Sequence, residues 1–265
     1  MGLGWMDVSD IPFQIFLLFE PVQLSWLPSW IPEKPLALAL KANPAADWYY
    51  RHACPELVEW LDRIQAEVTA EDLADPEKIR AAEVAVLRAT EDFVVYALDP
   101  SVYDRQPFLE WEEREMLDLT DFSGKTIIDV GTATGKQAFC AANLARVVYA
   151  VEPVGNLRKF LRKKARQLQV NNLYAVDGLI TELPFPDGFA DIVTCGHVYG
   201  DDPQAERMEL ERVVKPGGMV ILIPGNNDVD NDAHAHLVEH GYQWKVFIEP
   251  PADRLRKYWK TIPKD

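Results

Sequence analysis

The chain has 265 residues, 48% of them hydrophobic, so it can bury the core of one large domain or of a medium domain with an added cap. Its net charge of −15 does not favour a basic face that could neutralise phosphates, and we expect no nucleic-acid partner. The three cysteines (Cys54, Cys140 and Cys195) are far apart in the sequence and lack Cys-x-x-Cys spacing, which favours the reducing cytoplasm as the location.

The first 45 residues are rich in proline and carry an apolar run at 15–19. This stretch has neither the basic start of a signal peptide nor the roughly 20 uninterrupted apolar residues that a membrane span needs. We therefore predict an arm that packs on the body of the protein and no membrane span. An interfacial contact with a membrane is the weaker alternative.

The charge is unevenly distributed along the chain. Residues 1–122 hold 24 acidic and nine basic side chains, whereas residues 123–265 hold 18 of each. In the acidic part, the spacing of apolar residues predicts helices over 55–68, 75–98 and 107–119. Charge and pattern together predict two regions, an N-terminal arm with an acidic helical cap over 1–122 and a core over 123–265.

From residue 124 onward, short apolar runs alternate with helical ones. Strands are predicted over 125–130, 146–153, 172–178, 190–196 and 219–225, and two final runs over 242–250 and 254–262 can form an antiparallel pair. Strands that alternate with helices predict a parallel sheet covered by helices on both faces. The fold class is therefore α/β, with a doubly wound, mostly parallel, seven-stranded sheet.

The stretch DVGTATG, from Asp129 to Gly135, links the first predicted strand to a helix. Its three small residues at alternate positions let a ligand approach the backbone and permit positive φ angles. A dinucleotide-binding turn would need a third glycine where Lys136 stands. A phosphate-binding loop would need one more residue between its glycines, and Ser or Thr where Gln137 stands. Neither of these two nucleotide sites fits.

Acidic residues also end the next two predicted strands. Glu152 lies 23 residues after Asp129, and an acid about 20 residues beyond such a turn is suited to bind two ribose hydroxyls. Asp177 ends the third strand and is followed by LPFPDGFADIV, and the sequence VVKPGG at 213–218 precedes the fifth strand. The basic cluster at 158–166 is interpreted as a solvated helix face.

These four motifs, in this order and over about 124–250, resemble those of the class I S-adenosylmethionine-dependent methyltransferases. The likeness is greatest to the ubiquinone/menaquinone-biosynthesis-like (methyltransferase type 11) group. The resemblance implies a Rossmann-like fold and an enzyme that transfers a methyl group from S-adenosylmethionine to a small-molecule acceptor. S-adenosylhomocysteine would be the product.

The resemblance also implies cofactor-binding residues at the carboxyl ends of the strands. They are Asp129, Gly131, Thr132, Ala133, Gly135, Glu152, Pro153, Asp177, Gly178, Leu179 and Cys195. Ahead of the first strand, related enzymes use a tyrosine or arginine to reach the carboxylate end of the cofactor. In this chain, Tyr103 and Arg105 occupy that place.

The fourth strand ends in CGHVYGDDP, which departs from the commoner family pattern after Val198. His197 is the predicted general base, since an imidazole with a pKa near neutrality can take a proton from a hydroxyl or an amine. A histidine that is only hydrogen-bonded at the strand end is the equally weighted alternative. Tyr199 and Asp201 are weaker catalytic candidates than His197.

Four carboxylates, Asp228, Asp230, Asp232 and Glu239, have the spacing of a calcium-binding loop. Ala233 occupies the position where that loop needs glycine. We therefore predict that Asp232 caps a helix and that no metal is bound.

Two other functions compete with methyl transfer. The first is another use of the same cofactor, such as aminopropyl transfer. The second is a cofactor-binding pseudoenzyme or protein-interaction module whose acidic cap docks a basic partner. Six of the eight tryptophans lie before residue 123, where they would either line an apolar acceptor pocket or fill a helical core. No pattern in the sequence indicates an oligomeric state.

Overall fold

The computed structural model describes residues 3–224, 228–249 and 253–264. Gly225 and Pro250, which end two of the predicted strands, lie outside these ranges. Among the described residues, no helix combines the length and the apolar character needed to cross a bilayer.

The chain divides into two compact units, Met1–Tyr103 and Asp104–Asp265. The division precedes the boundary predicted between residues 122 and 123. It does so because Trp111, Met116 and Phe122 pack into the core of the sheet and not with the preceding helices.

The first unit is helical. Its α-helices are α1 (Pro21–Trp26), α2 (Glu33–Ala42), α3 (Pro44–Ala53), α4 (Val58–Gln65), α5 (Ala70–Leu73), α6 (Pro76–Ala89) and α7 (Glu91–Leu98), with 3₁₀ turns at Phe13–Leu18, Leu27–Ser29 and Pro55–Leu57. Helix α8 (Ser101–Asp104) spans the division between the units. Aromatic side chains fill much of the core of the first unit. There, the buried Tyr50 hydroxyl donates a hydrogen bond to the Leu24 carbonyl at 2.8 Å.

The helix predicted over 75–98 is in fact two helices that meet at Thr90. This residue leaves the helical conformation, with φ −104° and ψ 31°, and its hydroxyl donates to the Val86 carbonyl at 3.0 Å. Glu91 then starts α7, and its buried carboxylate accepts hydrogen bonds from the backbone N–H groups of residues 4–6. The break in the helix thus supplies an anchor for the start of the chain.

The second unit contains the sheet. Its strands are β1 (Thr126–Val130), β2 (Val147–Val151), β3 (Leu173–Val176), β4 (Ala190–Gly196), β5 (Val214–Ile223), β6 (Gln243–Glu249) and β7 (Asp253–Thr261). Its helices are α9 (Arg114–Leu117), α10 (Lys136–Ala142), α11 (Gly155–Gln167), α12 (Pro203–Arg212) and α13 (Asp232–Glu239), and a 3₁₀ turn covers Pro107–Leu109. The strand order is β3-β2-β1-β4-β5-β7-β6, with β1 to β5 parallel and β7 antiparallel to both its neighbours. The predicted doubly wound, seven-stranded fold is confirmed.

The helix predicted over 107–119 is reduced to the 3₁₀ turn and the single turn of α9. Between them, Trp111 turns into the core and is 3% exposed, and the Lys257 ammonium lies 4.2 Å from the centroid of its ring. This tertiary contact replaces the continuous helix that the local pattern favours.

The strand order fixes where a ligand would bind. The chain order of the strands reverses between β1 and β4, and in open α/β sheets ligands bind beyond the carboxyl ends of the strands at such a point. Strand β7 runs the other way, and Leu222 of β5 pairs with Tyr258 while Met219 pairs with Thr261. The first half of β7 therefore lies at the same edge as the carboxyl ends of β4 and β5.

The calcium-loop spacing has a different explanation. Asp228 and Asp230 both accept hydrogen bonds from Arg256 of β7, at 2.8 Å each. Helix α13 is capped by Asn231, whose side chain accepts from the His234 N–H at 2.8 Å, so the predicted cap at Asp232 was wrong by one residue. In the described parts of the chain, no cluster of three or more His, Cys, Asp or Glu side chains is placed to hold a metal ion.

Candidate functional site

The small-residue turn after β1 is pinned to the end of β2. The N–H groups of Gly131 and Thr132 both donate to the Val151 carbonyl, at 3.0 and 3.1 Å. Gly131 and Gly135 have positive φ angles of 66° and 93°, and Ala133 adopts a φ of 45°, which is uncommon for a residue with a side chain. The turn therefore brings backbone, and little side-chain bulk, to the edge of the sheet.

Adding a side chain at Gly131 tests how closely the turn packs against Val198. A Cβ atom at Gly131 would lie 2.5 Å from a methyl carbon of Val198, and we expect Gly131→Ala to destabilise the protein by about 2–3 kcal/mol through steric overlap and backbone strain. Gly124→Ala is the matched control, because Gly124 has nearly the same φ, 68°, with nothing within 4 Å of the added carbon. Urea unfolding of both variants measures the difference, and equal losses would contradict a role for the Val198 contact.

Asp129 lies beneath the turn, 1% exposed. Its two carboxylate oxygens accept hydrogen bonds from the Thr132 hydroxyl and, at 2.6 Å, from the Thr194 hydroxyl of β4. Burial raises the pKa of Asp129 to about 6. In this arrangement Asp129 orients the turn against β4 and presents no open carboxylate, so its predicted contact with the cofactor stays a prediction.

Glu152 lies beside the turn at the end of β2, 4% exposed. One carboxylate oxygen accepts from the Ala133 N–H and the other from the Val154 N–H, each at 2.9 Å. Pro153, between Glu152 and Val154, is half-buried ahead of α11. A carboxylate has about four lone-pair sites and can accept more than two hydrogen bonds. This is the placement expected of a ribose-binding acid.

Two cations of α11 contribute to the site, contrary to the prediction of a solvated basic face. Arg158 donates to the Glu152 carbonyl at 2.7 Å and to Asp177 at 2.9 Å. Lys164 donates to both oxygens of Asp104, at 2.6 and 2.9 Å, and to the Thr134 carbonyl at 3.1 Å. The sequence held a signal for Lys164, because it lies three residues after Leu161 and therefore on the apolar stripe of the helix.

The loop after β3 carries three further predicted residues. The Asp177 side chain is 72% exposed in spite of its ion pair with Arg158, and Leu179 is also exposed. A Cβ atom at Gly178 would lie 2.9 Å from both Pro184 and Val151, so this loop passes closely over the end of β2. An accessible carboxylate and an apolar side chain are thus presented beside Glu152.

The end of β4 differs in part from the prediction. Cys195 is buried in the strand, where burial raises the pKa of its thiol, so its side chain packs in the core. Tyr199 is buried as well, and its hydroxyl donates to the Pro203 carbonyl at 3.1 Å. Burial raises the pKa of Tyr199, and a buried phenol engaged in this way is poorly placed to accept a proton. The two side chains therefore pack, and the predicted cofactor contact of Cys195 and the predicted catalytic role of Tyr199 stay predictions.

His197 remains at this strand end as an exposed side chain. Its backbone has a positive φ of 59°, its N–H donates to the Ile223 carbonyl at 2.9 Å, and its ring lies 5.8 Å from the ring of Phe108. Crowding by protein atoms, followed by the positive charge of Lys257, lowers the pKa of His197. The imidazole is therefore neutral at pH 7, as a proton acceptor must be.

No sequence pattern indicated a role for Glu206, although this residue holds the loop that follows His197. This residue of α12 is 1% exposed and accepts hydrogen bonds from the N–H groups of Gly200 and Asp202, at 2.7 and 3.0 Å. A buried carboxylate bound to two backbone donors fixes the path of the loop.

Tyr103 belongs to the first unit. Its buried ring lies 5.4 Å from that of Trp5 and 5.6 Å from that of Tyr96. The predicted contacts of Tyr103, and of Arg105 in the second unit, with the cofactor stay predictions.

The groups at this edge fit a ligand with a ribose and an amino-acid end. Thr134 Oγ1 and Gln137 Oε1 are buried beside the turn and have no hydrogen-bond partner among the residues that the structure describes. Gly196 admits the Gln137 side chain so closely that a Cβ atom there would lie 2.1 Å from Nε2. These two polar atoms and the Glu152 carboxylate supply hydrogen-bonding groups that such a ligand needs.

Comparisons with known proteins find methyltransferases among the proteins that the chain resembles. Residues 128–222 match the family described as "Methyltransferase domain". The demethylmenaquinone methyltransferase of Geobacillus sp. (strain WCH70) is 31% identical to the chain over 128 residues, which cover 46% of this chain and 55% of that protein. The chain thus spans about half the length of the curated relatives it matches.

Two solved structures are similar in fold. A SAM-dependent methyltransferase from Aquifex aeolicus has a TM-score of 0.50 at 18% identity, covering 62% of this chain and 99% of that one. A chain from the complex between the Haloferax volcanii Trm112 methyltransferase activator and a methyltransferase has a TM-score of 0.54 at 14% identity, covering 66% and 97%. At these identities the likeness concerns the fold alone.

Proposed function

We propose that residues 128–222, which match the methyltransferase domain family, form a class I S-adenosylmethionine-dependent methyltransferase domain, and that the chain transfers a methyl group from S-adenosylmethionine to a small-molecule acceptor. The observation that carries the proposal is Glu152, which lies at the end of β2 with its carboxylate on the N–H groups of Ala133 and Val154. This acid and the small-residue turn lie at the point in the sheet where the strand order reverses.

In our proposal the site has two halves, one that binds the cofactor and one that binds the acceptor. The turn, Glu152 and Asp177 lie beyond β1, β2 and β3, and in our proposal they bind the cofactor. His197 lies beyond β4, on the side toward β5, and faces the acceptor. The methyl group would pass between the halves.

When bound, S-adenosylmethionine supplies a methyl group on a positively charged sulfur, which the acceptor atom displaces in line with the carbon–sulfur bond. Glu152 and the backbone of the turn fix the position of the ribose, and holding two reactants in line removes much of the entropic barrier. For an acceptor hydroxyl, His197 takes the proton that is lost as the new bond to carbon forms. Its neutral imidazole is ready to do so at pH 7.

We infer that the acceptor is an aromatic ring with an acidic hydroxyl, of the quinol type. The curated relative acts on demethylmenaquinone according to its name, and the exposed His197 lies against the ring of Phe108. An aromatic acceptor could pack its ring against the rings of Phe108 and His197, because aromatic pairs attract each other beyond their area of contact.

The experiment measures methyl transfer from labelled S-adenosylmethionine to a panel of reduced demethylmenaquinone, simple phenols and unfolded proteins. We expect label in the quinol or the phenols, and a kcat that rises with pH through a pKa below 6.5, the ordinary value of histidine. His197→Gln is expected to lower kcat by about 10²–10⁴-fold and to leave the cofactor dissociation constant unchanged.

Tyr199→Phe is the matched control at the same strand end, because its hydroxyl is bound to the Pro203 carbonyl, and most of the activity should be kept. Cofactor binding without label in any acceptor would contradict the proposed activity. Label in the protein substrates alone would contradict the small-molecule acceptor.

A further inference from the structure

A buried ion pair lies next to the acceptor half of the site. Lys257 of β7 is fully buried, and its ammonium donates a hydrogen bond to the Glu115 carboxylate of α9. The same ammonium lies 4.2 Å from the ring centroid of Trp111 and 5.0 Å from that of Phe247. The two charged residues are 142 positions apart in the chain.

Stability alone does not account for this pair. Taking two charges out of water costs as much as their attraction returns, and apolar side chains of similar volume often serve a core equally well. The rings of Trp111 and Phe247 also pack against the ammonium, so part of its surroundings is apolar. A lysine at this position therefore points to a role for its charge.

The register of the sheet brings the pair to the edge that carries His197. Gly196 of β4 pairs with Ile223 of β5, and the next residue, His197, donates its N–H to the Ile223 carbonyl. Leu222 pairs with Tyr258 of β7. Lys257 precedes Tyr258 in an antiparallel strand and so lies level with Ile223. Strand β5 thus separates Lys257 on β7 from His197 at the end of β4.

One segment covers both residues. Phe108, near the start of residues 107–117, lies against the ring of His197. Trp111 and Glu115 of the same segment contact Lys257. The ion pair thus holds residues 107–117 in place, and this segment packs beside the imidazole.

We propose that the Lys257–Glu115 pair is a positioning device for His197, which fixes residues 107–117 beside the imidazole and sets the charge that it faces when it takes the acceptor's proton. The proposal rests on the proposed function for the identity of the proton acceptor. It does not depend on which acceptor is used.

The charges around His197 support the proposal. Lys257 approaches from β7 and Glu115 from α9, while the loop after His197 carries Asp201 and Asp202. Lys136 of α10 also lies over the Trp111 ring, 5.3 Å from its centroid, and pairs with Glu113 at 3.8 Å. Glu206 of α12 is bound to the backbone of the loop. Desolvation lowers the pKa of His197 most, and the positive charge of Lys257 lowers it further.

The test is an NMR titration of the His197 ring in the full chain, without cofactor or acceptor. In Lys257→Met the positive charge is lost, and the pKa of His197 should rise toward its ordinary value. In Glu115→Gln the lysine keeps its charge without its counter-ion, and the pKa of His197 should fall further. Both variants break the same pair, so a purely structural role predicts shifts in one direction, whereas a role for charge predicts opposite shifts.

Lys245→Met is the matched control, because Lys245 pairs with Lys257 in the strand register but is exposed, and it should leave the titration unchanged. Should a single variant fail to fold, Lys257→Met/Glu115→Gln replaces the pair by neutral side chains, and His197 should titrate above its native pKa. Shifts of the same sign in the two single variants, or a native titration in the double variant, would overturn the proposal. Absence of methyl transfer leaves these titrations unaffected, so the two failures are distinguishable.

Discussion

Replacing Glu152 with alanine is expected to weaken S-adenosylmethionine binding about 100-fold or more. In our proposal the variant loses the acceptor of two ribose hydroxyls, and hydrogen bonds to a charged group contribute about 1.5–3 kcal/mol each. It also frees the N–H groups of Ala133 and Val154, which hold the turn and the start of α11. Calorimetric titration with S-adenosylmethionine and S-adenosylhomocysteine measures the loss.

Glu91→Ala is the matched control for this experiment. Glu91 is also a buried carboxylate that binds backbone N–H groups, but those of residues 4–6 in the first unit. Both variants should unfold at lower urea concentration than the native chain, whereas only Glu152→Ala should lose the cofactor. Native affinity in folded Glu152→Ala would contradict the assignment of Glu152 to the cofactor.

Asp129 is expected to make the protein less stable as the pH rises from about 4 to about 6. Burial raises the pKa of Asp129 to about 6, whereas an aspartate in the unfolded chain titrates near 3.8. Between these values the folded state binds more protons than the unfolded state, so the free energy of unfolding falls as the pH rises. The pKa difference of about two units corresponds to about 3 kcal/mol, lost in full above pH 6.

Urea unfolding of the native chain and of Asp129→Asn, between pH 4 and 7.5, tests this expectation. The asparagine has no proton to release, so the difference in stability between the two proteins should shift in favour of the variant as the pH rises. Asp191→Asn is the control, and the pH dependence of its stability difference should have the opposite sign. Although desolvation opposes it, the hydrogen bonds from Lys215 and from the Thr126 N–H lower the pKa of Asp191. Parallel curves for the native chain and Asp129→Asn would show that Asp129 does not titrate in this range.

The fold was predictable because the strands of a parallel sheet are buried on both faces and read as apolar runs. Strand β4 begins and ends at the predicted residues, and the helices between the strands follow from their periodicity. Contacts between distant residues carry no such local signal. The hydroxyl of Thr194 reaches Asp129 across 65 positions, and the break at Thr90 supplies Glu91 to residues 4–6.

The site was predictable where it follows the ends of strands. Glu152 was predicted at the end of the second strand, and it lies there with its carboxylate on the N–H of Ala133 in the turn; its contact with the cofactor stays a prediction. The loop after β4 was less predictable, because the left-handed backbone of His197 interrupts the two-residue alternation of a strand. His197 is therefore exposed, and Tyr199, two residues later, is buried. No pattern in the neighbouring sequence indicates such a turn at a residue other than glycine.

The position of β7 has a consequence for synthesis on the ribosome. Strands β1 to β5 can pair as they emerge, but the strand that lies beside β5 in the finished sheet is the last of the seven to be made. Until residue 261 has been translated, β5 is an open edge whose residues Val220, Ile221 and Leu222 are fully buried in the folded protein. An unpaired apolar edge is a site for aggregation, so this protein passes through its most vulnerable stage shortly before its sheet is complete.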